Sequence, residues 1–336
     1  MYIIAVDTGN RFIKTAHADP FSAGLNRHYT TPPIVATDTL LYNGNYYSFS
    51  ETQGYHRRDK TNDDYYYILS LAAIARELVM KDAMNESDRP ESVVFSEALR
   101  EASRAKKRFT EEIVLSVGLP PRDMKTLSGK FKNYFLKDGS RLTFTYNDIF
   151  FDVTIKEVFV SPQGFAAVFP NDLFSHVAKA PQAYIIDIGG YTTDIAKIVN
   201  KRIDTEYFES LDFGVIHMYN EVTGIVAKNH SKNITGVLIE AILRGETVDD
   251  TEVENTVKAA ADAYAHKIID ALRDKGVDLE LSLPVLVGGG VQLMQDSLKN
   301  AIDREHIFVI PDVKANAFGY EVLAKRILKE QQRLAY

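Results

Sequence analysis

Two stretches of the chain set carboxylates and glycines at matching positions. Asp7-Thr8-Gly9-Asn10 follows the apolar run from Tyr2 to Val6, and Asp187-Ile188-Gly189-Gly190 follows the run from Ala183 to Ile186. In each, the backbone turns at glycine and a second β-prone run leaves. The first return run carries Lys14; the second opens beyond Tyr191 with Thr192, Thr193 and Asp194. Strand, tight turn and returning strand make a β-hairpin. The chemistry on offer is anion binding, because glycines let bare backbone N–H groups approach an anion, while aspartate can hold a hydrated cation. One Asp-x-Gly turn is ordinary hairpin composition. Two of them, one near the start of each half, point to two related lobes that face each other.

Two further places put polar groups or glycines at the end of a strand. Gln163 lies in Ser161-Pro162-Gln163-Gly164, between a strand ending at Val160 and the apolar run FAAVF, which reads as a helix. Strand-to-helix corners are where α/β folds present functional side chains. Gly288-Gly289-Gly290 separates the apolar strand from Pro284 to Val287 from a helix opening at Val291. That arrangement admits a ligand's phosphate or ribose to main chain at a helix N-terminus, or serves close packing. Neither GxxxxGK[ST] nor a strand–GxGxxG–helix fingerprint is present, so opposing hairpins are the better model for nucleotide phosphates.

The elements around these residues alternate between strand and helix. Asn43-Gly44 within LLYNGNYYSF predicts a type I′ hairpin. The polar stretch HRRDKTNDD at 56–64 reads as a loop, and 64–80 as a helix with apolar residues at helical spacing. A second, charge-rich helix is expected over 85–109, its Arg104, Lys106, Lys107 and Arg108 well placed at a helix C-terminus. Strands follow at 112–117, 141–146, 150–155 and 157–160, with a helix near 124–136. In the second half a third strand at 202–210 follows an Asn200-Lys201 turn, Asp212-Phe213-Gly214 leads into a helix to about 227, and helices are expected over 234–244 and 250–275. A strand at 306–310 and a terminal helix to about 333 close the chain. Each half thus opens on a three-stranded meander, as an α/β lobe with a mixed sheet requires.

With 336 residues, 45% of them hydrophobic, the chain is long enough for two lobes. A net charge of −7 argues against direct attraction to nucleic acid or an anionic membrane, so any link to DNA is expected to be indirect. Cysteine is absent, which removes disulfides, thiol nucleophiles and thiolate metal sites, and eight histidines show no metal-ligand spacing. No basic leader precedes the first strand, and no apolar run reaches the roughly 18 residues of a membrane helix, so a cytoplasmic location is expected.

Taken in order, DTGNRFIK at 7–14, SPQG at 161–164, DIGGYTTD at 187–194, VGGGV at 287–291 and NAFGY at 316–320 resemble the phosphate, connecting and adenosine motifs of the actin superfamily. VGLPP at 117–121 and the segment 58–77 look most like the ParM/StbA-type bacterial actins of plasmid segregation. The resemblance implies an α/β, two-lobed actin-like ATPase fold, each lobe a mixed β-sheet flanked by helices, with nucleotide in the inter-lobe cleft. Lobe I would comprise 1–164 plus 312–336, with a smaller subdomain over about 30–110. Lobe II would comprise 165–311, with a subdomain over about 212–280. It implies ATP/ADP and Mg²⁺ as cofactors, the metal held through water by Asp7 and Asp187. Thr8, Gly9, Asn10, Lys14, Gly189, Gly190, Tyr191 and Thr192 would surround the phosphates. Gly288, Gly289 and Gly290, with Asp212, Gly214 and Glu240, would line the nucleoside side. Gln163 would orient the attacking water, with an aspartate such as Asp187 taking the proton. The implied partners are further copies of the chain in a filament and a DNA-binding adaptor of ParR type.

A small-molecule kinase of the same superfamily is the alternative. Such a kinase wants a carboxylate base in the first connecting region, where this chain has Gln163.

Overall fold

The computed structural model describes residues 1–28, 30–33, 38–50, 59–170, 173–246, 248–302 and 306–334. The basic residues His56, Arg57 and Arg58 of the expected polar loop lie outside them. The chain divides into two compact units, one of 1–119, 123–162 and 316–336, the other of 120–122 and 163–315.

The first unit carries β1 (Tyr2–Thr8), β2 (Phe12–Thr15), β3 (Phe21–Ser22), β4 (Gly24–Arg27), β5 (Thr39–Tyr42), β6 (Asn45–Ser50), α1 (Tyr65–Glu86), α2 (Phe95–Arg104), β7 (Arg108–Leu119), α3 (Met124–Tyr134), β8 (Arg141–Tyr146) and β9 (Ile149–Pro162). Its nine strands form one sheet in the order β3-β2-β1-β7-β9-β8-β5-β6-β4. Residues Tyr66 to Met80 of α1 are all buried, so this helix has no solvent stripe in its first four turns and forms the centre of the unit's core.

The second unit carries α4 (Leu173–Val177), β10 (Gln182–Ile188), β11 (Thr193–Val199), β12 (Arg202–Leu211), α5 (Val215–His230), α6 (Gly236–Leu243), α7 (Thr251–Asp274), β13 (Leu283–Val287), α8 (Gly289–Ile302) and β14 (Phe308–Ile310). The sheet order is β12-β11-β10-β13-β14. A last helix, α9 (Ala315–Leu334), belongs to the first unit from Asn316 onward. Among the described residues no helix is long and apolar enough to cross a membrane.

The duplication inferred from two hairpins is written in the topology. β1-β2-β3 and β10-β11-β12 are antiparallel meanders; β7 then β9, and β13 then β14, add in parallel beside β1 and β10. Five strands therefore repeat in one order and one set of directions.

Local turn chemistry follows the sequence closely. Asn43 and Gly44 have φ of 48° and 72°, and Asn200 and Lys201 have 50° and 67°, the positive pairs of a type I′ turn. Three expectations need correction. The helix expected over 85–109 is shorter: a 3₁₀ turn at Pro90–Ser92 and extended residues at 93–94 precede α2, and Arg108 already starts β7. Proline has no N–H to give a continuing helix. The two strands expected at 150–155 and 157–160 are one, β9, because Lys156 is a bulge: Ile113 pairs with Ile155 and Val114 with Glu157. FAAVF forms only a four-residue 3₁₀ turn, Phe165–Val168, entered from Gly164 at φ 70° and closed by the Phe169 N–H on the Ala166 carbonyl.

Candidate functional site

The first hairpin places Asp7 opposite Lys14 and Thr8 opposite Ile13. Lys14 Nζ donates to Asp7 Oδ2 at 3.0 Å, with Asp7 only 2% exposed. Gly9 is required for the turn, since a Cβ there would lie 2.6 Å from the Phe12 carbonyl oxygen. Two contacts that no sequence pattern announced complete the turn. Lys60 Nζ donates to Thr8 O at 2.6 Å and to Thr8 Oγ1 at 3.2 Å, and the Tyr66 hydroxyl donates to Asn10 Oδ1.

In the second hairpin Asp187 stands opposite Asp194 and Ile188 opposite Thr193. The turn closes with Gly189 N–H on the Thr192 carbonyl at 2.8 Å. Thr192 Oγ1 and Ser210 Oγ donate to the two Asp194 oxygens, at 3.2 and 2.6 Å. Asp194 is thereby committed to holding β11 and β12 around the turn. The carbonyls of Gly189 and Gly190 accept from Val215 and Ile216, so the turn caps the first N–H groups of α5. Gly214 makes this approach possible: a Cβ at that position would lie 2.5 Å from the Gly190 oxygen. Tyr191 meets the His217 ring edge-on at 6.1 Å.

Asp187, 8% exposed, is enclosed by two glycines of positive φ from different connections. A Cβ at Gly164 would lie 3.2 Å from Asp187 Cβ, and one at Gly288 would lie 2.4 Å from Asp187 Oδ1. Gln163 therefore sits one residue from an Asp187 contact, and its own carbonyl accepts from Phe165 N–H at 2.7 Å. The glycine run divides by role. Gly288 and Gly290 pack against the Asp187–Ile188 strand end, whereas a Cβ at Gly289 would meet only Val313 at 3.8 Å.

The weaker candidates separate. Asp212 is exposed in the bend between β12 and α5. Glu240, on α6, is buried and engaged: the Tyr219 hydroxyl donates to Oε1 at 2.5 Å and Arg244 to Oε2 at 2.9 Å.

One cluster elsewhere in the first unit gathers metal-type side chains. His17, Glu77 and Glu321 bring ligand atoms within 4.8 Å of one another. Glu77 Oε2 accepts from the backbone N–H of His17 and Ala18, each at 3.1 Å, and Oε1 lies 2.6 Å from His17 Nδ1. Lys81 adds its ammonium 3.2 Å from Glu321 and 3.7 Å from Glu77. This set is an internal ion network tying α1, α9 and the end of β2. Burial pulls the Glu77 carboxyl up, but the hydrogen bond and charge of His17 outweigh it, with Thr15 and Lys81 assisting, and hold it at about 2.

Two units repeating one five-strand order, each opening on an Asp-x-Gly hairpin, define the actin-like class of fold. Known proteins agree. A family model described as archaeal actin homologue MreB-like, C-terminal, matches residues 185–300. The archaeal actin homologue Ta0583 superimposes with a TM-score of 0.71 at 18% identity, over 97% of this chain and 100% of that one. Its structure in complex with ADP gives 0.68. The 15-stranded ParM filament of Clostridium botulinum gives 0.67 at 19% identity, over 97% of this chain and 99% of that one. Bacillus thuringiensis ParM with AMPPNP gives 0.62 at 13% identity, over 98% and 99%. No curated protein sequence matches. The chain has the fold of the ParM-type and archaeal actin homologues.

Proposed function

We propose that the protein is an actin-like ATPase that assembles into filaments on ATP. The observation that carries this reading is the repeated hairpin: a buried aspartate at the same place in each repeat, Asp7 and Asp187, followed by a glycine turn whose geometry tolerates no Cβ at Gly9. Both aspartates supply hard oxygen donors at tight turns, which suits Mg²⁺ and its water shell. Bound there, the ion would supply charge neutralisation for a polyphosphate. The remaining work falls to the chain. Lys14 and the turn N–H groups bind phosphate oxygens, and the Gln163 amide orients a water, since phosphoryl transfer needs positioning and charge neutralisation more than covalent help. Gly289, with room above it, receives the nucleoside.

Further support comes from what the structural neighbours bind and form: ADP in the archaeal homologue, AMPPNP in the Bacillus protein and a filament in the Clostridium one. We extend the reading to a cytoplasmic filament that segregates plasmid DNA through a ParR-type adaptor, on the resemblance of the segments at 58–77 and 117–121. Sedimentation of micromolar protein with ATP and Mg²⁺ tests it. Pelletable polymer with phosphate release is expected. Absence of polymer together with phosphorylation of an added metabolite would establish the kinase instead.

A further inference from the structure

The second hairpin turn is backed by a helix distant in sequence. Tyr264, midway along α7 and 2% exposed, donates its hydroxyl to the Gly214 carbonyl at 3.1 Å, across 50 positions. Its ring meets that of Phe213 at 6.0 Å between centres. The Phe213 carbonyl accepts in turn from Thr193 Oγ1 at 2.6 Å. The two peptide oxygens at the opening of α5 are therefore held, one by the strand that leaves the turn and one by α7.

What this segment fixes is the direction of the turn's amides. Gly189 and Gly190 give their carbonyls to the N–H groups of Val215 and Ile216, at 3.1 and 2.9 Å. In a trans peptide the N–H points opposite to the carbonyl of the same unit. The N–H groups of Gly190 and Tyr191 are thus both turned away from α5, as a pair that can meet one anion. Movement of 213–216 would rotate these peptides and part the pair.

The other buried residues of α7 are aliphatic, so packing alone would be served by phenylalanine at 264. A hydroxyl in that place costs desolvation unless it is bonded. Burial pushes the phenol's ionisation above its ordinary value, which keeps the proton on the donor. We infer that Tyr264 is a positioning residue for the second turn: its hydroxyl, through Gly214 and the first residues of α5, holds the Gly190 and Tyr191 amides in line for phosphate. The inference rests on the nucleotide reading above, and it extends the site to a helix that carries none of the motif residues.

The test is AMPPNP binding, with Mg²⁺, by the full-length wild-type protein, by Tyr264→Phe and Tyr264→Met, and by a control, Ile269→Val. Phenylalanine removes only the hydroxyl and methionine fills the buried volume, so a folding defect in one leaves the other to report. Ile269→Val thins the buried side of α7 while removing no hydrogen-bonding group, and thermal melts compare its stability with theirs. Loss of one neutral hydrogen bond predicts about fivefold weaker AMPPNP binding in the folded Tyr264 variants, with wild-type affinity in Ile269→Val. A folded Tyr264 variant that binds like wild type overturns the inference. So does an equal loss in Ile269→Val, or a failure of both Tyr264 variants to fold, since either assigns Tyr264 to packing alone. Wild-type protein that binds no AMPPNP overturns the functional reading itself, a distinguishable result.

Discussion

Gly288 leaves the space that Asp187 fills: with φ of 100° it turns its missing side chain onto Oδ1, where a Cβ would stand 2.4 Å away. An alanine at this position meets two penalties, an unfavourable backbone region and a carboxylate with Gly164 on its other side. Gly288→Ala is expected to destabilise the protein by about 2–4 kcal/mol and to weaken nucleotide binding with it. Gly289→Ala separates ligand contact from packing. With only an ordinary contact at 3.8 Å, it should melt within a few degrees of wild type while losing nucleotide affinity. Paired melts and binding isotherms check both.

The ion network at Glu77 predicts a specific acid sensitivity. Its carboxyl titrates at about 2 in the folded protein against an ordinary 4.5. A depressed carboxylate stabilises the fold fully above the unfolded value and loses that contribution as pH falls towards the folded one. About 3 kcal/mol is therefore lost between pH 4.5 and 2. Urea titrations across this window should show the loss in wild type, and a flatter profile at lower starting stability in Glu77→Gln.

Gln163 is expected to act on rate more than on binding, since an amide that orients water touches little in the ground state. Gln163→Ala should lower phosphate release by about 10²-fold while leaving ADP affinity near wild type. Stopped assays of phosphate release beside ADP isotherms decide it. Unchanged release would remove Gln163 from the chemistry.

Much of this molecule is legible in its sequence because its hairpin turns are local. Asp7 to Lys14 and Asp187 to Asp194 each announce a hairpin within eight residues, and the turn type at Asn43-Gly44 follows from side-chain preference alone. What sequence could not show was set by distant partners. Lys60 reaches Thr8 across 52 positions, and α1 is buried on every side from Tyr66 to Met80 only because sheet and helices enclose it. The bulge at Lys156 depends on registry with β7, which the composition of β9 does not encode. The charge-rich stretch 85–109 does not form one long helix, because Pro90 interrupts it and Lys107, just before β7, pairs with Asp82 and Glu86 of α1.

The measurement that reaches the central claim most directly is steady-state phosphate release from ATP and Mg²⁺ by Asp187→Asn beside wild type. The substitution preserves size and removes the charge that the second hairpin presents. A folded variant with hydrolysis reduced at least about 10²-fold is the expected result. A folded variant that hydrolyses ATP at the wild-type rate would contradict the assignment of this hairpin to the phosphate site.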